Sequence, residues 1–261
     1  MSSSPNTATI VTPETAPTVS AGFLTLLGLP NAGKSSLFNL MIGEKLAIVS
    51  PKAQTTWTLL RGHVEDPDLE LVVVDTPGLQ DGTKALNQAL TVNASMAIER
   101  ARDGNEITAL VIDATDVGRC LKAGRGTGLQ SLFEILARIP RISSLKPFIF
   151  INKIDLVRKE KYLDEIKEAV IAEAKKVFPE LSQTLQISTY SAIRDASRTQ
   201  IIEILKPLLP RIPKGQLFDK DTLTSESLRD LTRDYIREQC FYQLSHELPY
   251  SIAVEINTFK E

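Results

Sequence analysis

The run Gly28-Leu29-Pro30-Asn31-Ala32-Gly33-Lys34-Ser35 constrains this chain more than any other segment, because few local folds accommodate it. It has the spacing G-x-x-x-x-G-K-[ST] and directly follows the apolar run Phe23-Leu24-Thr25-Leu26-Leu27. A strand feeding a glycine-containing turn aims successive backbone N–H groups at one point. The following helix adds its positive end there. Lys34 then reaches the outer phosphates of a nucleotide, and the Ser35 hydroxyl ligates a magnesium ion. A plain strand-to-helix turn is the lesser reading. The loop alone leaves the base, and the purpose of the nucleotide, open.

Short β-like runs alternate with amphipathic stretches downstream. Strands are expected at 23–27, 69–74, 107–112, 147–151 and 185–188, with helices at 34–42, 85–101, 129–138, 162–177 and 198–208. This order predicts an α/β fold with a doubly wound, mostly parallel sheet. Val72, Val73 and Val74 suit a strand covered on both faces. An added strand at 59–64 forms a hairpin closed near Asp66-Pro67-Asp68. Pro207, Pro210, Pro213 and Gly215 then mark a linker. Beyond it a helix is expected from Thr224 to Glu247, capped by Thr224 or Ser225 and stopped by Pro249. A strand follows at 251–256. The divisions are a disordered tail at 1–21, a nucleotide-binding domain at 22–209, a linker at 210–222 and a second segment at 223–261.

Composition excludes several classes. No apolar run approaches the roughly 20 residues that span a bilayer. A net charge of -2 argues against a surface wholly devoted to nucleic acid. Cys120 and Cys240 are far apart and have no metal-binding spacing, and His63 and His246 are isolated. Residues 1–20 are rich in Ser, Thr and Pro and contain no Lys or Arg, so they read as neither a secretory signal nor a transit peptide. A cytoplasmic protein is expected.

Two further motifs define the nucleotide. Asp75-Thr76-Pro77-Gly78 closes the strand ending at Val74. Asp75 is suited to hold magnesium through water, and the Gly78 N–H is suited to a terminal phosphate. Asn152-Lys153-Ile154-Asp155 follows Phe148-Ile149-Phe150-Ile151, at the sheet edge where ligands bind. The Asp155 carboxylate pairs with the two N–H donors of guanine, which adenine lacks, so an ATPase would leave a buried charge unpaired. The Lys153 stem lies against the base, and Asn152 ties this loop to the phosphate loop.

These motifs together resemble the GTP-binding domain of translation-factor-like GTPases. The words Asn31-Ala32-Gly33-Lys34-Ser35-Ser36-Leu37, Ser50-Pro51-Lys52-Ala53-Gln54-Thr55-Thr56, Asp75-Thr76-Pro77-Gly78-Leu79 and Glu247-Leu248-Pro249-Tyr250-Ser251-Ile252-Ala253-Val254-Glu255 resemble more closely the Era family of ribosome-assembly GTPases, within the TrmE-Era-EngA-like P-loop group. The resemblance covers roughly residues 22 to 261. It implies GTP/GDP and Mg2+ as ligands and a slow GTP-hydrolysing switch that acts in small ribosomal subunit assembly through 16S rRNA. The alternative class is a GTPase module that regulates RNA modification or protein targeting. Residues 223–261 resemble the start of the family's C-terminal KH domain, an incomplete α+β segment. A mostly monomeric cytoplasmic protein is implied, and peripheral contact with the inner membrane is left open.

The resemblance assigns Asn31, Ala32, Gly33, Lys34, Ser35, Ser36, Asp75, Gly78, Asn152, Lys153, Asp155, Ser191 and Ala192 to the nucleotide. Ser188-Thr189 is the alternative to Ser191-Ala192. Ser35, Thr56 and Asp75 serve the metal, with Thr55 the alternative to Thr56. Lys34, Thr56 and Gly78 are the catalytic set. Leu79 occupies the position of the water-orienting glutamine of Ras-like enzymes, hence the expectation of slow hydrolysis. Three features depart from the family pattern. Trp57 stands where an arginine is usual, and no G-x-x-G loop follows Tyr250, so the RNA grip is expected to be lost or carried by residues outside this chain. The third is a longer middle region punctuated by Gly104, Gly118, Gly124, Gly126 and Gly128, read as a solvated loop in preference to a small basic surface made by Arg119, Lys122 and Arg125.

Overall fold

A computed structural model describes residues 17–50, 59–78, 104–123, 128–139, 142, 147–179, 185–218, 222–224, 226–244, 248 and 252–259. The strands are β1 (Thr18–Leu27), β2 (Leu60–Asp66), β3 (Leu69–Asp75), β4 (Glu106–Asp113), β5 (Phe148–Asn152), β6 (Gln186–Thr189) and β7 (Arg211–Pro213). The helices are α1 (Lys34–Ile42), α2 (Ala114–Ala123), α3 (Gly128–Ala137), α4 (Glu160–Val177), α5 (Ala196–Leu205) and α6 (Leu228–Gln243). They form a sheet of order β2-β3-β1-β4-β5-β6. β1, β3, β4, β5 and β6 run parallel, whereas β2 is antiparallel to β3.

The alternation of side chains along each central strand divides the core into two layers. Leu24 and Leu26, Ala109 and Val111, and Phe148 and Phe150 pack on one face, with Phe38 and Met41 of α1 and Ile201 and Leu205 of α5. Leu27, Leu110 and Ile112, and Ile149 and Ile151 pack on the other, with Leu132 and Phe133 of α3 and Ile166 and Val170 of α4. Every residue of β3 and β5 is buried, which is why Leu71–Val74 and Phe148–Ile151 read as continuous apolar runs.

Four expectations are corrected. Thr18 to Ala21, assigned to the disordered tail, belong to β1, where Val19 and Ala21 are buried. The linker contributes β7, antiparallel to β1. Because β4 pairs with β1 only from Phe23 onward, the Thr18–Ser20 edge is open to Arg211–Pro213. The long C-terminal helix spans 228–243 rather than 224–247. Ser227 caps it, its hydroxyl accepting the Asp230 N–H at 3.1 Å. Residues 252–256 form no strand, since no described residue offers them a paired edge. The 85–101 helix lies outside the described residues.

The chain after β7 runs along the outer edge of β2. The His63 N–H donates to Leu223 O at 2.8 Å, Thr224 Oγ1 donates to Arg61 O at 2.5 Å, and the His63 and Phe218 rings stack 4.4 Å apart. These bonds occupy polar groups that an edge strand otherwise presents to solvent. They also deliver α6 to the segment after α1. There the buried Glu238 carboxylate accepts Lys45 Nζ at 2.6 Å and the Val49 N–H at 3.0 Å. The Tyr242 hydroxyl donates to Val49 O at 2.8 Å, and that of Tyr235 to Lys45 O.

Candidate nucleotide site

The site lies at the C-terminal ends of the parallel strands. The chain leaves β1 at Leu27, turns through Gly28–Ala32 and enters α1 at Lys34. Two residues in this turn hold the left-handed conformation: Asn31 at φ 61° and Gly33 at φ 96°. Gly33 is needed on two counts. A Cβ there would be strained by the positive φ, and it would sit 2.1 Å from Asn152 Nδ2. Asn152 in turn holds two loops together. Its Nδ2 donates to Ala32 O at 3.1 Å, and its Oδ1 accepts the Ala192 N–H at 3.1 Å.

Lys34 is 6% exposed, and its ammonium donates to Gly28 O and Leu29 O, both at 3.1 Å. Burial pushes its pKa down from 10.5 to about 8, against the opposing pull of the Asp75 carboxylate. Such an ammonium, desolvated and held by neutral carbonyls, gains from an anionic partner. Ser35 Oγ donates to Asp75 Oδ2 at 2.6 Å, and Asp75 is fully buried at the end of β3. A hydroxyl and a carboxylate in contact are hard oxygen donors. They fit magnesium, which keeps several waters and takes its other ligands from phosphates. The Thr76 hydroxyl, donating to Leu26 O at 2.6 Å, fixes the turn that follows. Gly78 lies against the loop, where a Cβ would fall 2.7 Å from Pro30 N, so only glycine permits this approach.

The base end is equally organised. Lys153, at φ 64°, donates to Asn31 O at 2.7 Å and pairs with Asp113 Oδ2 at 2.7 Å. Burial raises the Asp113 pKa, but the hydrogen bonds from Lys153 and Thr115 outweigh it and hold the carboxyl below its ordinary value. Ser191 Oγ donates to Asp155 Oδ1 at 2.6 Å, whereas Ser188 remains within β6. The phosphate loop, Gly78 and Lys153 thus line one cavity of about 670 Å3, and Asn152 ties the Ala192 loop to the phosphate loop beside it. Ser36 lines it beside Ser35. Thr55, Thr56, Trp57 and Leu79 lie outside the described residues.

Sequence reading missed several contributors to this cavity, among them Asp113, Thr115, Arg119 and Tyr242. Asp113 carried a legible signal, an acidic residue ending a buried strand. Tyr242 carried none, because its contact with Val49 joins positions 193 residues apart. The middle region is corrected as well: Ala114–Ala123 is a helix, not a loop, and Arg119 and Lys122 lie on it.

Among the described residues no helix is long and apolar enough to cross a membrane. The family model for the 50S ribosome-binding GTPase matches residues 23–153. The GTPase Era of Neisseria meningitidis serogroup C is 34% identical over 246 residues, which cover 92% of this chain and 70% of the relative. That of Nitratidesulfovibrio vulgaris is 30% identical over 241 residues, or 92% and 72%. Among solved structures, an Aquifex aeolicus Era variant bound to GDP and aluminium fluoride superposes with a TM-score of 0.73 at 28% identity, covering 92% of this chain and 73% of its own. An Era bound to MgGDPNP and a segment of 16S ribosomal RNA gives 0.72 at 28% identity, with the same coverage. Agreement that runs through the phosphate loop and on past the nucleotide-binding domain places this chain in the Era family of GTPases.

Proposed function

We propose that the chain binds GTP with Mg2+, hydrolyses it slowly, and acts as a cytoplasmic switch in small ribosomal subunit assembly. The observation that carries the nucleotide reading is the Asn152 bridge. One side chain joins Ala32 of the phosphate loop to Ala192 of the base loop, so phosphate and base are recognised by a single rigid frame. In that frame Asn31 to Ser36 hold the phosphates and Lys34 neutralises charge on the outer two. Ser35, Thr56 and Asp75 hold the magnesium, which supplies charge neutralisation when bound. Gly78 offers its N–H to the terminal phosphate. Asp155, oriented by the Ser191 hydroxyl, accepts the N1–H and exocyclic amine of guanine, with Lys153 along the base and the Ala192 backbone nearby.

Slow turnover follows from Leu79, which has no group to orient water. The small-subunit reading is supported by the Era structure that holds 16S rRNA. The description of the matched family model names the other subunit, but that model matches only residues 23–153, short of the segment that resembles a KH domain. Monomeric behaviour is part of the proposal, and vesicle co-sedimentation tests the peripheral membrane contact that the resemblance leaves open.

Base identity is tested by measuring Kd for GTP, ATP and xanthosine triphosphate in wild type and Asp155→Asn. Wild type is expected to prefer GTP by a factor of at least a hundred, and Asp155→Asn to shift its preference to the xanthine nucleotide. A variant that still prefers GTP refutes the guanine assignment.

A further inference from the structure

The helix in the middle region brings a cation to the nucleotide cavity. α2 begins where the Asp113 carboxylate, through Oδ1, accepts the Thr115 and Asp116 N–H groups at 2.7 and 3.3 Å, an N-cap at the last residue of β4. Its inner face is fixed: Ala114 and Val117 are buried, Gly118 lies against Ile166 of α4, and Lys122 Nζ sits 4.2 Å from the Tyr162 ring centroid. With that face anchored, Arg119 projects towards the phosphate loop. It lines the nucleotide cavity together with Asn31, Lys153 and Thr115. It also lines a neighbouring cavity of about 250 Å3 against Leu29 and Pro30.

The state of the Arg119 guanidinium matters more than its proximity. Its side chain is 75% exposed, and its contacts with its own helix are long: Nη2 to Asp116 Oδ1 at 3.3 Å and Nε to Thr115 O at 3.4 Å. A solvated i, i+3 pair of this length contributes little and breaks readily. The other carboxylate at this rim, Asp113, is committed to Lys153 at 2.7 Å and does not compete for it. A guanidinium has five donors in a fixed fork that matches phosphate oxygens, and it keeps its charge at any pH of interest. Leu79 leaves the reaction without the glutamine of Ras-like enzymes, so added charge stabilisation has a clear use.

We propose that Arg119 leaves Asp116 when GTP binds and donates to phosphate oxygens of the nucleotide in its own chain, most strongly in the hydrolytic transition state. This rests on the GTPase reading above. In the step, a water oxygen bonds to the γ-phosphorus while the bond from that phosphorus to the β–γ bridging oxygen breaks. The electron pair stays on GDP, and the water proton passes to the released phosphate or to solvent. Arg119 transfers no proton; it stabilises the charge that develops on the phosphate oxygens.

The test is single-turnover hydrolysis by the full chain, with Kd for GTP, GDP and GDP–aluminium fluoride, in wild type, Arg119→Ala and Arg119→Lys. Arg119→Ala is expected to lower the rate at least tenfold and to weaken aluminium fluoride complex formation by a similar factor. Its Kd for GTP and GDP is expected to change less than threefold, and Arg119→Lys to recover part of the rate. A rate within twofold of wild type, or a loss confined to ground-state Kd, overturns the proposal. So does full rescue of Arg119→Ala by a Lys34→Ala chain, since that places the arginine on a neighbouring molecule. If wild type itself fails to bind GTP, the nucleotide reading fails, a result distinct from active wild type with an equally active Arg119→Ala.

Discussion

Raising the pH from 7 to 9 is expected to strengthen the nucleotide-free fold and to weaken nucleotide binding, both through Lys34. Its pKa is about 8 in the folded chain against an ordinary 10.5, and the first cause is burial. Below pH 8 the side chain is charged in both folded and unfolded states. The fold then bears the full cost of burying that charge, about 3 kcal/mol from the two values at roughly 1.36 kcal/mol per unit. Between pH 8 and 10.5 the unfolded chain keeps a proton that the folded chain has released, so unfolding free energy rises with pH. From pH 7 to 9 the gain is about 1 kcal/mol by the same linkage. Binding runs the other way. Phosphates hold the ammonium charged, so above pH 8 the complex must take up a proton, and affinity falls about tenfold between pH 7 and 9. Urea unfolding without nucleotide measures the first effect, and calorimetric titration with GDP in two buffers of different ionisation enthalpy measures the second. Lys34→Met is the reference and should lack both slopes, with weak affinity throughout. A wild-type Kd that stays within twofold from pH 7 to 9, or slopes that persist in Lys34→Met, refutes the reasoning.

Two further outcomes follow from single contacts. Gly33→Ala places a methyl 2.1 Å from Asn152 Nδ2 at a positive φ, so it should break the Asn152–Ala32 bond, lower stability by about 2–4 kcal/mol and weaken GDP binding at least tenfold. Unchanged urea midpoint and GDP affinity would contradict the bridging role of Asn152. Glu238→Ala leaves Lys45 and the Val49 N–H without their carboxylate and should lower stability by about 1–3 kcal/mol. Because Val49 and Tyr242 line the nucleotide cavity, GDP dissociation measured by stopped flow should quicken as well. An unchanged dissociation rate would show that α6 and the nucleotide are uncoupled.

The sequence by itself determined those parts of the molecule whose physics is local. The 3.6-residue period placed α1 at Lys34–Ile42, and the unbroken Val72-Val73-Val74 run announced a strand buried on both faces. The phosphate loop, Asp75 and Asn152–Asp155 were legible because each sits where a buried strand ends, so a short run of residues carries both the element and the donor groups. Tertiary structure decided what depends on distant partners. Whether 252–256 forms a strand depends on a paired edge, and the alternation of its side chains carries no information about one. Asn152 became the joint of the site only once Ala32 and Ala192, 120 residues before it and 40 after, had been folded to either side. Arg119 read as part of a solvated loop until α2 packed on α4 and turned it to the cavity. Glu238, a charged residue on an apparently exposed helix, is buried because Lys45 and Val49 arrive from 193 and 189 residues away. Period and composition report which face of an element is apolar; they do not report which element covers it, and that depends on the long-range closure of the chain.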